Sequence, residues 1–331
     1  MKRPFGLLLA TLIGLTRRIY FLLFLFVNCG EGIKPISPTA KKYLDEVIAI
    51  LQANSINRKT VDWVDFKQKV YKQAAGANSI EEIYPSVEFA LTALSDKHSF
   101  FSPNKNNDKG NGQEPTIYQD EQVPDDIGYI RIPWFVGNQE KKDQYVNKLQ
   151  TQIRERDKSE LKGWIVDLRG NLGGNMWPML VGIGPVLGEG VVGNFVDPDN
   201  NKQVWRYERG KVFLDDEMLL EAKEYYRLKT ESPIVAVLTD TITASSGEAV
   251  TVAFRGRSHS RSFGSRTYGV SSGNQPFYLS NGSVIWLTTV VFADRKMKKY
   301  GQSIEPDEKL DSKKIIARSV HWIRKEYKNK N

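Results

Sequence analysis

Three apolar runs constrain this chain more than anything else in it: IGYIRIP at 127–133, GWIVDLR at 163–169 and PIVAVLTD at 233–240. Each precedes a stretch with helical patterning, a polar one across 138–158, an apolar one over 176–187 and an Ala/Val-rich one over 246–255. Apolar strands alternating with helices predict an α/β fold with a largely buried sheet. FLDDEMLLEAKEYYRL (213–228) and the long run SVIWLTTVVFA (283–293) fall within the same alternation. The closing segment from Ser312 to Tyr327 is a basic amphipathic helix with Ile315, Ile316, Val320 and Ile323 on one face. That face is expected to pack on the core, although its pattern would also suit a membrane or a partner helix.

Ahead of the sheet, Leu44, Val47, Ile48 and Leu51 recur at spacings of three and four, as do Val87, Ala90, Leu91 and Leu94, which predicts a helical N-terminal cap. FSPNKNNDKGNGQEP at 101–115, rich in Asn, Gly, Pro and Lys, reads as the start of a flexible connection that is too short to hold another domain. The expected layout is a leader over 1–28, a helical domain over 29–100, the connection over 101–124 and a core domain over 125–331. With 40% hydrophobic and 26% charged residues the composition is that of a globular protein, which excludes a disordered or collagen-like chain.

The supply of reactive side chains limits the chemistry. One Cys and three His in 331 residues allow no internal disulfide and no zinc-type ligand cluster, so no metal and no cofactor is expected. Hydroxyls, carboxylates, Lys or an imidazole must do the work. The net charge of +8 suggests a nucleic-acid partner, but Lys2, Arg3, Arg17 and Arg18 lie in the acid-free first 28 residues and leave +4 for the rest. There the signs are mixed, as in Arg154-Glu-Arg-Asp-Lys-Ser-Glu160, which describes a solvated face, and no nucleic-acid partner is expected.

Two apolar runs, GLLLATLIGL at 6–15 and IYFLLFLFV at 19–27, flank Arg17-Arg18. A single membrane span would bury both arginines at about 2.5–3.5 kcal/mol each. A basic n-region followed by a short h-region fits a secretory signal instead. Phe26-Val27-Asn28-Cys29-Gly30 resembles a bacterial lipobox, which implies a lipid anchor on Cys29 and a place on the periplasmic or extracellular face of the cell envelope. A chance Cys beside a signal cut elsewhere, and an uncleaved anchor, are the alternatives.

Three segments can carry chemistry. Asp167-Leu-Arg-Gly-Asn-Leu-Gly-Gly174 stands where a strand gives way to a helix. Its paired glycines either aim backbone N–H groups at an anion or simply make a tight turn. Thr239-Asp-Thr-Ile-Thr-Ala-Ser-Ser-Gly-Glu248 repeats the strand-to-helix arrangement. Ser245 with Glu248 satisfies a capping box, yet a Ser at a helix N-terminus is also well placed as a nucleophile, and position alone does not separate the two. The third segment, Ser95-Asp-Lys-His98-Ser, puts a His after the cap helices, as an electrostatic helix cap or as a base. Of the other imidazoles, His259 lies in a Ser/Arg-rich loop and His321 on the terminal helix beside Trp322.

DLRGNLGG (167–174), TASSGE (243–248), Gly264-x-x-Thr267-x-Gly269 followed by SSGN (271–274), and Ile304-Glu-Pro-Asp307 occur in the order found in the C-terminal-processing (tail-specific) serine peptidases, which this chain resembles over roughly 40–325. The resemblance implies a ClpP/crotonase-like α/β core behind an N-terminal helical cap, and a peptide or protein substrate. In the best-known members a Lys follows the last Gly of the G-x-x-T-x-G motif and serves as base; here that residue is Val270, and the nearby Lys296, Lys298 and Lys299 fall in an expected hairpin turn. The tricorn-core-like branch, with Ser, His and Glu, is matched at Ser245, His98 and Glu305. Lys97 stands where that branch has a polar helper, and no PDZ domain separates cap from core. The resemblance therefore implies a Ser245/His98/Glu305 peptidase, with an oxyanion held by backbone N–H groups of Ser246 and of Gly173 or Gly174, and subsites drawn from loops such as 196–212 and 256–276. A non-catalytic ligand- or peptide-binding module, as in a retinoid carrier on the same core, and a structural envelope lipoprotein are the competing readings.

Overall fold

Strands buried on both faces, at Ile127–Arg131, Gly163–Asp167 and Val235–Thr239, form the centre of the core. The computed structural model describes residues 34–104 and 121–330; the leader, Cys29 and most of the expected connection lie outside the described residues. Helices α1 (Pro38–Asn54), α2 (Trp63–Gln73) and α3 (Tyr84–Ala93) come first, followed by β1 (Phe100–Ser102), β2 (Ile127–Arg131), α4 (Gln139–Arg156), β3 (Gly163–Asp167) and α5 (Met176–Leu187). Strands β4 (Gly190–Val196), β5 (Lys202–Glu208), β6 (Lys211–Leu214), β7 (Glu217–Glu221) and β8 (Val235–Thr239) lead to α6 (Ser246–Phe254). The chain ends with β9 (Ser260–Gly264), β10 (Ser272–Tyr278), β11 (Val284–Ala293), β12 (Glu308–Lys309) and α7 (Ser312–Lys330).

The three apolar runs are adjacent in one parallel sheet of order β12-β9-β8-β3-β2. Side chains alternate faces along a strand. Trp164, Val166, Val235 and Val237 accordingly pack with α4, α5 and α6 on one side, while Ile165, Ala236, Leu238 and Phe263 pack with Ile315, Val320 and Ile323 of α7 on the other. The apolar face of the last helix is thus spent on the sheet. Among the described residues no helix is long and apolar enough to cross a membrane.

The region between α5 and β8 departs from the sequence expectation. Residues 196–212 are expected as loop, and 213–228 within the helix alternation. Instead β4 to β7 form an antiparallel meander in a second sheet, β1-β11-β4-β5-β6-β7, with β10 on the other edge of β11. Asp215, at φ +53°, turns β6 into β7, and Trp205, Tyr207, Val212 and Leu220 are buried in the same core as α5. A charged hairpin with only every other residue buried carries little apolar signal.

The expected connection also begins late, because Phe100–Ser102 pair antiparallel with Trp286, Ile285 and Val284. Helix α1 starts at a Ser37 cap with Pro38 in its first turn, and α2 at an Asp62 cap. Leu44, Val47, Ile48 and Leu51 share one core with Val87, Leu91, Ile285 and Leu287 of β11, and Leu279 just beyond β10. Cap and sheet are therefore cemented by common apolar contacts.

Candidate active site

Strands β3 and β8 are neighbours and run the same way, so their C-terminal ends deliver DLRGNLGG and TASSGE side by side. Ala244 N–H donates to the Asn171 carbonyl at 2.8 Å and the Thr243 hydroxyl to the Leu168 carbonyl at 2.9 Å, which ties the two loops together. Ser245 caps α6 with φ +50° and ψ −113°. A non-glycine residue held there costs about 1–3 kcal/mol, and such strained strand-to-helix turns present nucleophilic serines in other hydrolases. Glu248 fixes the turn: its Oε2 accepts the N–H of Ser245 and of Val270, each at 2.9 Å, and its Oε1 accepts the Thr267 hydroxyl at 2.5 Å and the Gly269 N–H at 3.0 Å. Burial raises the Glu248 pKa against these four donors.

The glycine pair lies against Ser245. Gly173 and Gly174 sit at φ +101° and +100°. A Cβ on Gly173 would stand 2.8 Å from the Ser245 Cβ, and one on Gly174 would stand 2.0 Å from the Phe135 carbonyl oxygen. Gly173 donates its N–H to Asn171 Oδ1 at 2.8 Å, whereas the Gly174 N–H has no protein acceptor among the described residues. Ser246 begins α6, where the first-turn N–H groups are free of helical partners, and its hydroxyl donates to the Gly174 carbonyl at 2.6 Å. Of the expected backbone donors, Gly173 is engaged, while Gly174 and Ser246 are joined beside Ser245. Gly174→Ala is expected to lower kcat by about 10²- to 10³-fold, the usual effect of losing an oxyanion donor, with a reduced melting temperature from the backbone clash; unchanged turnover would remove Gly174 from the site.

His98 follows a kinked turn in which Ser95 and Lys97 both have positive φ, 59° and 61°. Asp96 holds that turn, accepting the N–H of His98 at 2.9 Å and of Ser99 at 2.7 Å. The ring Nδ1 lies 2.9 Å from Ser272 Oγ, so the imidazole caps no helix carbonyl through that nitrogen. Ser272 in turn donates its N–H to the Val270 carbonyl at 2.8 Å, and Val270 shares Glu248 with Ser245. A short chain of hydrogen bonds thus links the half-buried His98 to Ser245, although no bond joins their side chains among the described residues.

Burial holds the His98 pKa below its ordinary 6.5, with the Asp96 carboxylate pulling the other way. The ring is therefore neutral at pH 7, as a base requires. The acid limb of kcat/KM is expected below pH 6.5, and a limb above that value would contradict a buried base. The unfolded chain binds the proton first, so this group's stability contribution is complete above 6.5 and is lost as pH falls through the lowered value.

A cleft of about 700 Å³ opens beside these groups, with Asp96, Lys97, Tyr268, Val270, Ser272 and Glu305 in its walls. Glu305 is exposed; its carboxylate pairs with Lys309 at 3.1 Å and its carbonyl accepts from Arg255. Val270 is buried in the position of the family's Lys. The segment of Lys296, Lys298 and Lys299 is a turn after β11, where Lys299 reaches Asn200. Asp96, Ser272 and Asn171 were given no role from sequence, although each stands in a quoted segment, Ser95-Asp-Lys-His98-Ser, SSGN and DLRGNLGG respectively.

The model of peptidase family S41 matches residues 126–310, which span both loops, Glu248 and Glu305. The chain belongs to peptidase family S41. Its resemblance to the C-terminal-processing peptidases and its α/β core behind a helical cap both hold. The nisin-resistance protein of Lactococcus lactis subsp. lactis is 27% identical to this S41 chain over 294 residues, covering 88% of the chain and 90% of that protein. A lipoprotein structure from Streptococcus agalactiae is 26% identical with a TM-score of 0.70, covering 89% of this chain and 99% of its own. The photosystem II D1 C-terminal processing protease, 12% identical with a TM-score of 0.54, covers 84% of this chain and 94% of its own and shares the fold.

Proposed function

We propose that this S41 chain is a serine peptidase of the bacterial cell envelope that cleaves exported peptides or proteins. The observation that carries the reading is Ser245, held at positive φ on a helix N-terminus beside Gly174 and Ser246. Ser245 Oγ attacks the scissile carbonyl carbon as His98 takes its proton, and the N–H groups of Ser246 and Gly174 receive the oxyanion. The C–N bond then breaks as His98 returns the proton to the leaving amine, and water, activated in the same way, releases the acyl group from Ser245. Glu305 is the third member on this reading, in the wall of the adjoining cleft and paired with Lys309, while the carboxylate that favours the imidazolium is that of Asp96.

The relative named for nisin resistance makes a nisin-type peptide antibiotic the first substrate to try. Val136, Leu172, Ile242 and Tyr268, all exposed large apolar side chains on the loops around Ser245, suit the apolar residues of such a peptide. The leader, Cys29 and the similarity to a streptococcal lipoprotein support an anchored, outward-facing enzyme.

The absence of a Ser245–His98 side-chain bond among the described residues, together with the Glu305–Lys309 pair, favours one alternative, a non-catalytic peptide-binding module. Incubating nisin with wild type and with Ser245→Ala, followed by mass spectrometry, tests the proposal. Fragments from wild type alone support it. Intact nisin with fluorophosphonate labelling of Ser245 redirects it to another peptide, and intact nisin without labelling favours the binding module.

A further inference from the structure

His98 is gripped by a single strand. Ser272 and Asn274 stand two apart on β10, and both reach it: Ser272 Oγ lies 2.9 Å from Nδ1, and Asn274 Nδ2 donates to the His98 carbonyl at 2.8 Å. Residues two apart on a strand share a face, and the register shift between Gly273 and Asn274 leaves Thr289 of β11 unpaired, so the bulge falls on the partner strand and β10 keeps its alternation. Neither contact is a loose surface encounter. Ser272 is 4% exposed, with its N–H on the Val270 carbonyl, and Asn274 Oδ1 accepts the Thr288 hydroxyl at 2.9 Å.

A neutral imidazole has one N–H and one lone pair, and the partner of one nitrogen decides which carries which. If the Ser272 hydroxyl donated into Nδ1, the proton would sit on Nε2 and that nitrogen could accept nothing. If Ser272 accepts from Nδ1–H, Nε2 keeps its lone pair. The accepting arrangement also survives protonation unchanged, because both nitrogens of an imidazolium donate. The donating one would have to reverse during every turnover. Glu305, paired with Lys309, is not the group at Nδ1.

We propose that Ser272 is the positioning residue of His98: its Oγ accepts the Nδ1–H, sets the ring tautomer and leaves Nε2 as the basic nitrogen. This rests on the reading of His98 as the base. With only three His in the chain, a long-range ¹H–¹⁵N spectrum of ¹⁵N-histidine protein can follow His98, assigned by its loss in His98→Ala. The expected spectrum at neutral pH shows His98 Nδ1 protonated and Nε2 unprotonated. Ser272→Ala should mix the tautomers and lower kcat about tenfold, the worth of one neutral hydrogen bond, with KM within about twofold. Ser272→Thr, which keeps the hydroxyl, should restore both. A wild-type ring protonated on Nε2, or a spectrum unmoved by Ser272→Ala, overturns the proposal. The spectrum is also recorded on Ser245→Ala protein, so a chain that cleaves no peptide would defeat the peptidase reading while the tautomer still decides the role of Ser272.

Discussion

Ser245→Ala is expected to abolish fluorophosphonate labelling and to lower peptide turnover by about 10⁴- to 10⁶-fold, with His98→Ala lowering turnover to a similar degree. The two losses should be equal in kind because nucleophile and base act as one unit. Both residues are held chiefly through their main chains, Ser245 by its N–H to Glu248 and His98 by its N–H to Asp96 and its carbonyl to Asn274, so that the side chains add only a cap on α6 and one bond to Ser272. Melting temperatures close to wild type are therefore expected for both. Val270→Ala is the informative control, because an isopropyl group carries no proton and its removal should leave the chemistry intact. Near-normal turnover by His98→Ala would refute the assignment of the base, and labelling of Ser245→Ala would refute that of the nucleophile.

Glu248→Ala is expected to destabilise the protein by about 3–5 kcal/mol, since it strands several buried donors that each cost about 1–3 kcal/mol when unpaired. The carboxylate is fully buried and joins the start of α6 to Thr267, Gly269 and Val270. Losing it releases the strained Ser245 backbone and frees the loop that leads into β10. Turnover should thus fall with stability, through misplacement of both Ser245 and Ser272. Thermal unfolding monitored by circular dichroism reads the first effect, and a loss of no more than about 1 kcal/mol would show that water replaces the carboxylate. Glu248→Gln should recover part of the stability, because an amide oxygen accepts from some of the same donors but its NH₂ meets others.

Strands β2, β3 and β8 and the helices that follow them were legible because these strands are apolar on both faces and each helix has its own period, with α5 spanning the expected 176–187 and α6 ending one residue early at Phe254. Strands β9 and β10, rich in Ser, Arg and Asn, lie largely within 256–276, which was expected as loop. The meander from β4 to β7 was not legible either, because its strands bury alternate residues and carry Lys, Arg and Glu between them. The Ser245 turn was visible as a capping box, but its positive φ, which supports the nucleophile reading, is given by no residue pattern. Glu305 was legible as a motif, yet its ion pair with Lys309, four residues on in the same loop and strand, is a matter of side-chain reach. Ser272 escaped notice because its partner is 174 residues away, and only pairing of β10 with β11 beside β1 brings them together.

That pairing has a further consequence. Ser245, Ser246 and Gly174 hang from the parallel sheet, while His98 arrives on the thread between α3 and β1, pinned where the cap helices meet β11. The site is a seam joining two layers. Loosening the cap would part His98 from Ser245 while each stays locally intact, so on the proposed mechanism activity is expected to be lost before global unfolding. A destabilising change in α1 or α3, remote from any substrate, would then be scored in an activity screen as a catalytic defect.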